Sequence, residues 1–211
     1  MDSVFFVFEI IGVIAFAISG ATVAIKSKMD ILGVAVLGLT TSVGGGIIRD
    51  LLLGITPPSM LLTPLPALIA ISVSLVTFLP FIQKCISKKH KLTHCVIMFA
   101  DAVGLGFFTI MGTNTVFTII DSPNLFICVT IGVITGVGGG VLRDVLSKNT
   151  PQIFVKNFYA TASIIGALIY SILYPLINNI LAMSISISLI VILRILAIKF
   201  RLELPKANCL E

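Results

Sequence analysis

Apolar residues dominate this chain in seven long segments, and most of its polar residues lie in the short connections between them. A segment of roughly 17 to 25 apolar residues is long enough to cross the ~30 Å hydrocarbon layer of a membrane as a helix. The segments run approximately over 4–25, 31–54, 65–82, 93–116, 125–146, 155–177 and 180–198. We therefore predict an all-α membrane protein with seven transmembrane helices in a single domain, residues 1–211.

The composition agrees with this class and excludes several others. Hydrophobic residues make up 57% of the chain and charged residues 11%, and the mean hydropathy is +1.16. An ordinary soluble domain has about 25% charged residues. The sequence contains no nucleophile–base pair, phosphate-binding loop or metal-ligand cluster, so we expect no enzyme activity, no cofactor and no metal site.

The basic residues predict how the chain lies in the membrane. Connections after spans 1, 3 and 5, and the segment after span 7, contain Lys or Arg, whereas the connections after spans 2, 4 and 6 contain neither. These residues are Lys26, Lys28, Lys84, Lys88, Lys89, Lys91, Lys148, Lys156, Lys199, Arg201 and Lys206. Because cytoplasmic connections carry the excess of Lys and Arg, we predict a multi-pass inner (cytoplasmic) membrane protein with its N-terminus outside and its C-terminus in the cytoplasm. The same asymmetry accounts for the net charge of +5 without a nucleic-acid partner.

The chain contains an internal repeat. GLTTSVGGGIIRDLLLGITPP at 38–58 lies over GVITGVGGGVLRDVLSKNTPQ at 132–152 with a constant offset of 94, and Glu9 lies over Asp101 with an offset of 92. We assign residues 4–82 to the first copy and 93–177 to the second, with a seventh helix at 180–198 outside both. Because each copy has three spans, the second enters the membrane from the opposite side, which predicts an inverted repeat.

A glycine triplet lies inside spans 2 and 5. The triplets are Gly44, Gly45 and Gly46, and Gly138, Gly139 and Gly140. Each helix-interior glycine costs about 1 kcal/mol relative to alanine, so a triplet removes roughly 3 kcal/mol of helix preference and predicts a kink or a break. Hydroxyls at Thr40, Thr41, Ser42 and Thr135 are candidates to satisfy freed backbone groups or to line a polar path. The alternative is that the glycines only allow close helix packing.

An Arg-Asp pair follows each triplet, and charges within a span usually mark a pathway. Helical rise places Arg49 towards the outer side and Arg143 towards the inner side. Glu9 is at the level of Arg49 and Asp101 at the level of Arg143, so we predict two buried ion pairs that mirror each other.

Three further charges receive a different interpretation. Adjacent residues of a helix point in different directions, so Asp50 and Asp144 are free to find other partners, and they also compete with Glu9 and Asp101 for the two arginines. Arg194 lies near the inner end of span 7, and we expect its side chain to extend to the membrane interface.

The doubled GGGxxRD motif, the Thr-Pro that follows it in both copies and the plan of three, three and one spans resemble a prokaryotic member of the trimeric intracellular cation channel (TRIC) family. The resemblance implies a homotrimer in which each protomer has its own pore for monovalent cations, chiefly potassium. It implies that spans 2 and 5 line the pore and kink at the glycine triplets, with Arg49, Asp50, Arg143 and Asp144 beside the path. Potassium or sodium ions and membrane lipids are the partners that it implies.

A second function remains open at this stage. The same small bacterial domain has also been grouped by resemblance with glycine transporters. A carrier for a small zwitterion such as glycine would hold the carboxylate at the positive ends of broken helices. A kinked, charged midplane serves a channel and a carrier alike.

Overall fold

The computed structural model describes residues 3–82, 90–155 and 158–200, and over these ranges the protein is helical, without a strand. Several basic residues used to predict orientation, such as Lys84 and Arg201, lie outside the described residues. The described residues form nine main helices, which we number in chain order. They are α1 (Ser3–Lys26), α2 (Ile31–Leu52), α3 (Ser59–Leu62), α4 (Pro64–Phe78), α5 (His90–Ile119), α6 (Leu125–Leu146), α7 (Gln152–Val155), α8 (Tyr159–Leu173) and α9 (Asn179–Lys199).

Five of these helices contain a stretch that is long and apolar enough to cross a membrane, which confirms the prediction of an all-helical, multi-pass membrane protein. They are α1, α2, α5, α6 and α9. The predicted third and sixth spans correspond to α4 and α8, which are apolar but have only 15 residues each. Helix α4 begins close to the predicted start of its span but ends early, at Phe78. Helix α8 begins late, after Phe158 in a left-handed conformation, and ends early, at Leu173.

Helices α2 and α6 begin and end in the same way, 94 residues apart (124 − 30 = 94). The side chain of Asp30 accepts a hydrogen bond from the Gly33 amide at 2.7 Å, and that of Asn124 accepts one from the Ile127 amide at 2.9 Å. Such N-caps satisfy amides that have no partner within the helix. After each helix the chain turns through a left-handed residue, Gly54 in one copy and Lys148 in the other. The sequence repeat is therefore also a repeat of local structure.

The helices pack as two similar groups joined by two contacts. Helix α1 packs with α2 and α4, and α5 packs with α6 and α8. The groups meet where α1 contacts α5 and where α2 contacts α6. Among the described helices, α9 packs mainly on the second group, against α5 and α8, so the two halves of the molecule have different surroundings.

The glycine triplets lie where α2 and α6 cross. A Cβ on Gly45 would collide with the carbonyl oxygen of Thr135, and a Cβ on Gly139 would collide with the carbonyl oxygen of Thr41. Both helices continue through their triplets, so the break that the sequence allowed is not present. The glycines allow the two helices to pack closely because they have no side chains. Close packing of this kind does not require a break in either helix.

Candidate functional site: charged clusters at the two ends of the helix crossing

The predicted charged residues lie in two clusters, one at each end of the α2–α6 crossing. Gly45 faces Thr135 and Gly139 faces Thr41, so the two helices run antiparallel. Arg49 and Arg143 each lie in the last turn of their own helix and therefore at opposite ends. We call these the Glu9 end and the Asp101 end.

A cavity of about 450 Å³ opens at the Glu9 end. Its charged lining residues are Glu9 of α1 and Arg49 and Asp50 of α2. Helix α5 contributes polar groups to the opposite wall, and apolar side chains complete it. The remaining lining residues are Ser59, Asn114, Thr115, Thr118, Phe5, Ile55 and Met111. Two carboxylates and one guanidinium thus border a space of small-ligand size.

Arg49 pairs with its neighbour Asp50 and not with Glu9. Its Nε donates to Asp50 Oδ1 at 2.7 Å, and one terminal nitrogen donates to the Ser59 hydroxyl at 3.2 Å. Among the described residues, Glu9 has no hydrogen bond or ion pair, so the predicted Glu9–Arg49 pair is wrong. The physical reason is that Asp50 is held next to Arg49 by a second contact: its Oδ2 accepts from the amide of Ser59 at 2.7 Å.

The Asp101 end contains the mirrored pair as predicted. Arg143 Nη1 donates to Asp101 Oδ1 and to the hydroxyl of Ser19 at 2.6 Å, and the side chains of Arg143 and Asp101 have no solvent exposure. Arg143 Nε also donates to Asp144 Oδ1 at 2.8 Å. The Arg143–Asp101 pair is confirmed. The charges at this end are sealed from solvent, whereas those at the Glu9 end border a cavity.

Asp50 and Asp144 each bind the arginine beside them and also find a second partner. Each carboxylate accepts from the Nε of the arginine before it and, with its other oxygen, from a backbone amide that starts the next short helix. Those amides belong to Ser59 in α3 and Gln152 in α7. The long arginine side chain bends along its own helix and spans the angle that separates neighbouring Cβ atoms. The Arg-Asp motif therefore joins the end of a long helix to the segment after it.

Arg194 is buried, which corrects the expectation that it extends to the interface. Its side chain is 1% exposed, and its guanidinium carbon lies 4.5 Å from the centre of the Tyr159 ring. One terminal nitrogen lies 3.9 Å from Asp101 Oδ2. Because α9 packs against both α5 and α8, a residue on its inner face reaches the Asp101 cluster. No repeat partner in the sequence indicated this position.

The predicted polar residues beside the triplets are buried and hydrogen-bonded within the protein. Thr41 and Thr135 donate to the carbonyl oxygens of Leu37 and Ile131, each at 2.6 Å and each four residues earlier. Ser42 donates to the Gly38 carbonyl at 2.8 Å. None of the three hydroxyl residues lines the cavity at the Glu9 end. A role for them in a path stays a prediction.

Some residues of the two clusters carried no signal that sequence reasoning used. Ser19 and Tyr159 contact the charged groups at the Asp101 end, and Ser59 contacts those at the Glu9 end. Asn114 was detectable in principle, since an amide in the middle of an apolar segment is unusual. Its oxygen lies 2.7 Å from the buried Tyr170 hydroxyl. In the described part of the chain, no three His, Cys, Asp or Glu side chains are placed to hold a metal ion together.

Comparison with known proteins identifies the family. The family model described as "Glycine transporter" matches residues 6–81 and 98–175, one segment in each predicted repeat. The UPF0126 inner membrane protein YadS of Escherichia coli (strain K12) is 37% identical over 199 residues, which cover 93% of this chain and 93% of that protein. A solved structure described as the "Structural basis for conductance through TRIC cation channels" matches with a TM-score of 0.82 at 41% identity, over 98% of each chain. This chain belongs to the TRIC family.

A second TRIC structure shows the same fold at lower identity. It is the trimeric intracellular cation channel orthologue from Rhodobacter sphaeroides, which matches with a TM-score of 0.86 at 30% identity. The match covers 95% of this chain and 100% of that one. The helices of this chain are therefore arranged in the TRIC fold.

Proposed function

We propose that this protein is a cation channel of the inner membrane, which passes monovalent cations, chiefly potassium, along a path between α2 and α6 in each protomer. We further propose that it assembles as a homotrimer, as the name of its Rhodobacter relative states for that protein. The relatives with solved structures are described as cation channels, and YadS is described as an inner membrane protein.

The cavity at the Glu9 end is the observation that carries this proposal. It borders two carboxylates but only one guanidinium, and that guanidinium already pairs with Asp50. The Glu9 carboxylate is half-buried and has no ion-pair partner among the described residues. Acidic side chains at a mouth attract cations and exclude anions. Hydroxyl oxygens of Thr115 and Thr118 are further acceptors on the α5 wall of the same space.

The remaining path is proposed to run past the glycine triplets to the Asp101 end. The buried Arg143–Asp101 pair makes the described arrangement a closed one at that end. We propose that α2 and α6 bend at the triplets on opening, and that Thr41, Ser42, Thr135 and the two Arg-Asp pairs then border the path. The two helices are too close at Gly45 and Gly139 for any side chain, so they must separate there for such a path to open.

The proposal includes the full membrane topology. Helices α4 and α8, about 22 Å long at helical rise, would complete seven spans with their flanking residues. The N-terminus then lies outside and the Glu9 end faces outwards, as the distribution of Lys and Arg predicts.

The direct test of cation selectivity is the reversal potential of purified protein in a planar bilayer under a KCl gradient. A cation channel gives a reversal potential close to that of K⁺, and Glu9→Gln shifts it towards that of Cl⁻ because it removes the unpaired carboxylate. Asp121→Asn is the matched control, since Asp121 is an exposed carboxylate in the connection between α5 and α6 and does not line the cavity. A wild-type reversal potential at that of Cl⁻ contradicts the proposal.

A glycine carrier is the second candidate, and one observation favours it. The cavity places a guanidinium and an unpaired carboxylate in one space, as a small zwitterion requires, and the matching family model is described as "Glycine transporter". Against it, α2 and α6 are continuous, so the half-helix ends that would hold the carboxylate are not formed. The structure therefore supports the channel better.

A further inference from the structure

The two ends of the crossing have the same repeated charges but a different balance. At the Glu9 end, Glu9 and Asp50 face one guanidinium, that of Arg49. At the Asp101 end, the corresponding Asp101 and Asp144 face two guanidiniums, those of Arg143 and Arg194. The additional arginine comes from α9, the helix that has no counterpart in the repeat.

Arg194 is next to Asp101 but makes no hydrogen bond to it. Its nearest nitrogen is 3.9 Å from Asp101 Oδ2, which is within ion-pair range and beyond hydrogen-bond range. Its Nε and that terminal nitrogen have no hydrogen-bond partner among the described residues, and neither does Asp101 Oδ2. The Tyr159 ring beneath the guanidinium supplies a cation–π contact.

We propose that Arg194 is a built-in counter-cation: its guanidinium occupies, beside Asp101, the position that a permeating cation takes beside Glu9, and it keeps the Asp101 end closed to cations. This inference rests on the proposed cation-channel function. In the repeat, Asp101 corresponds to Glu9. Of these two carboxylates, only that of Glu9 lines the cavity.

The contacts of Arg194 are weaker than those of Arg143, so we infer that the block is reversible. Two nitrogens of the Arg194 guanidinium are buried without a hydrogen-bond partner among the described residues, which is costly because they have given up water without a replacement. The Asp101–Arg143 contact, in contrast, is a direct hydrogen-bonded ion pair. Displacement of Arg194 from Asp101 therefore breaks the weaker of the two contacts and frees Asp101 Oδ2 for a hydrated K⁺.

The test is K⁺ flux through purified protein in liposomes, normalised to the reconstituted protein. Arg194→Gln raises the flux at least about tenfold, equivalent to ~1.4 kcal/mol, and adding Asp101→Asn to it returns the flux towards wild type. Arg194→Lys keeps the charge and stays near wild type. Lys199→Gln is the matched control, since it removes a positive charge from an exposed position of the same helix and leaves the flux unchanged.

Measurable K⁺ flux that is equal in Arg194→Gln and wild type, in protein of normal elution volume and helix content, overturns the proposal. High flux in Arg194→Lys also overturns it, since packing and not charge would then be responsible. If Arg194→Gln does not assemble, Arg194→Met decides on the same criteria, because it fills similar space without a polar group to bury.

A second readout separates this inference from the channel function. Arg194→Gln acquires a K⁺-dependent rise in its unfolding temperature, which wild type lacks and which Asp101→Asn removes. This rise without flux in any variant contradicts the channel function but supports the counter-cation. Flux in wild type with neither a K⁺-dependent rise nor a raised flux in Arg194→Gln supports the channel and refutes the counter-cation.

Discussion

Alanine at Gly139 is expected to destabilise the protein, although alanine is the better helix former. The new Cβ meets the carbonyl oxygen of Thr41 well inside van der Waals contact, and it also lies 3.2 Å from Phe16 Cε2. A backbone carbonyl cannot rotate aside, so α2 and α6 must move apart. Overpacking of this kind costs about 1–3 kcal/mol, and alanine returns up to about 1 kcal/mol of helix preference. We expect a net loss of about 1–2 kcal/mol.

Gly138→Ala is the matched control within the same triplet. Its Cβ would lie 3.3 Å from Gly45 Cα and 3.4 Å from Ile48 Cδ1, a contact that a shift of a few tenths of an ångström relieves. The helix preference of alanine then roughly cancels the cost, and the net change is close to zero. Gly45→Ala meets the Thr135 carbonyl and is expected to resemble Gly139→Ala.

The assay is thermal unfolding of purified protein in detergent. For a chain of this length, 1 kcal/mol corresponds to about 2–4 °C, so Gly139→Ala and Gly45→Ala unfold about 2–8 °C below wild type and Gly138→Ala close to it. Equal losses at Gly138 and Gly139 would refute the reasoning, because a requirement for flexibility affects neighbouring glycines alike, whereas a backbone crossing singles out the middle one.

Three further predictions follow from the clusters and the topology. A double-mutant cycle of Asp101→Asn with Arg143→Gln gives a coupling free energy of about 2–3 kcal/mol in unfolding measurements, while a cycle of Glu9→Gln with Arg49→Gln gives a coupling below about 1 kcal/mol. A larger coupling for Glu9 with Arg49 than for Asp101 with Arg143 contradicts the ion-pair assignment. Gly54→Ala costs about 1 kcal/mol of stability through its positive φ alone, since no atom lies near the new Cβ; an unchanged unfolding temperature argues against that turn. A cysteine at Asn178 reacts with an impermeant thiol reagent from outside intact cells and Cys209, outside the described residues, does not; the opposite pattern reverses the orientation.

The sequence predicted the parts of the molecule that follow from periodicity and repetition. Apolar length located the spanning helices, and the offset of 94 residues recurs in the structure between the caps at Asp30 and Asn124. The depth of Arg143 and Asp101 along their spans was sufficient to predict their ion pair. Each of these inferences needs only the helical rise and the membrane thickness.

Other features depend on contacts that the sequence does not encode locally. Arg49 pairs with Asp50 and not with Glu9 because Ser59, on a separate short helix, holds the Asp50 carboxylate in place. The position of Arg194 follows from the packing of α9, which has no repeat partner to compare. The middle glycines are explained by a carbonyl group on the partner helix, so spacing alone did not separate a kink from a close crossing.

Single-channel recording of the purified protein in a planar bilayer tests the central claim, that each protomer contains a cation path, most directly. A channel gives discrete current steps in symmetric KCl. The number of ions that it passes per second is far above the turnover rate of a carrier, which must change conformation for every substrate that it moves. We expect such steps, reduced in Glu9→Gln and more frequent in Arg194→Gln. Slow, saturable uptake of glycine by the same preparation, with no current steps at any voltage, would contradict the account.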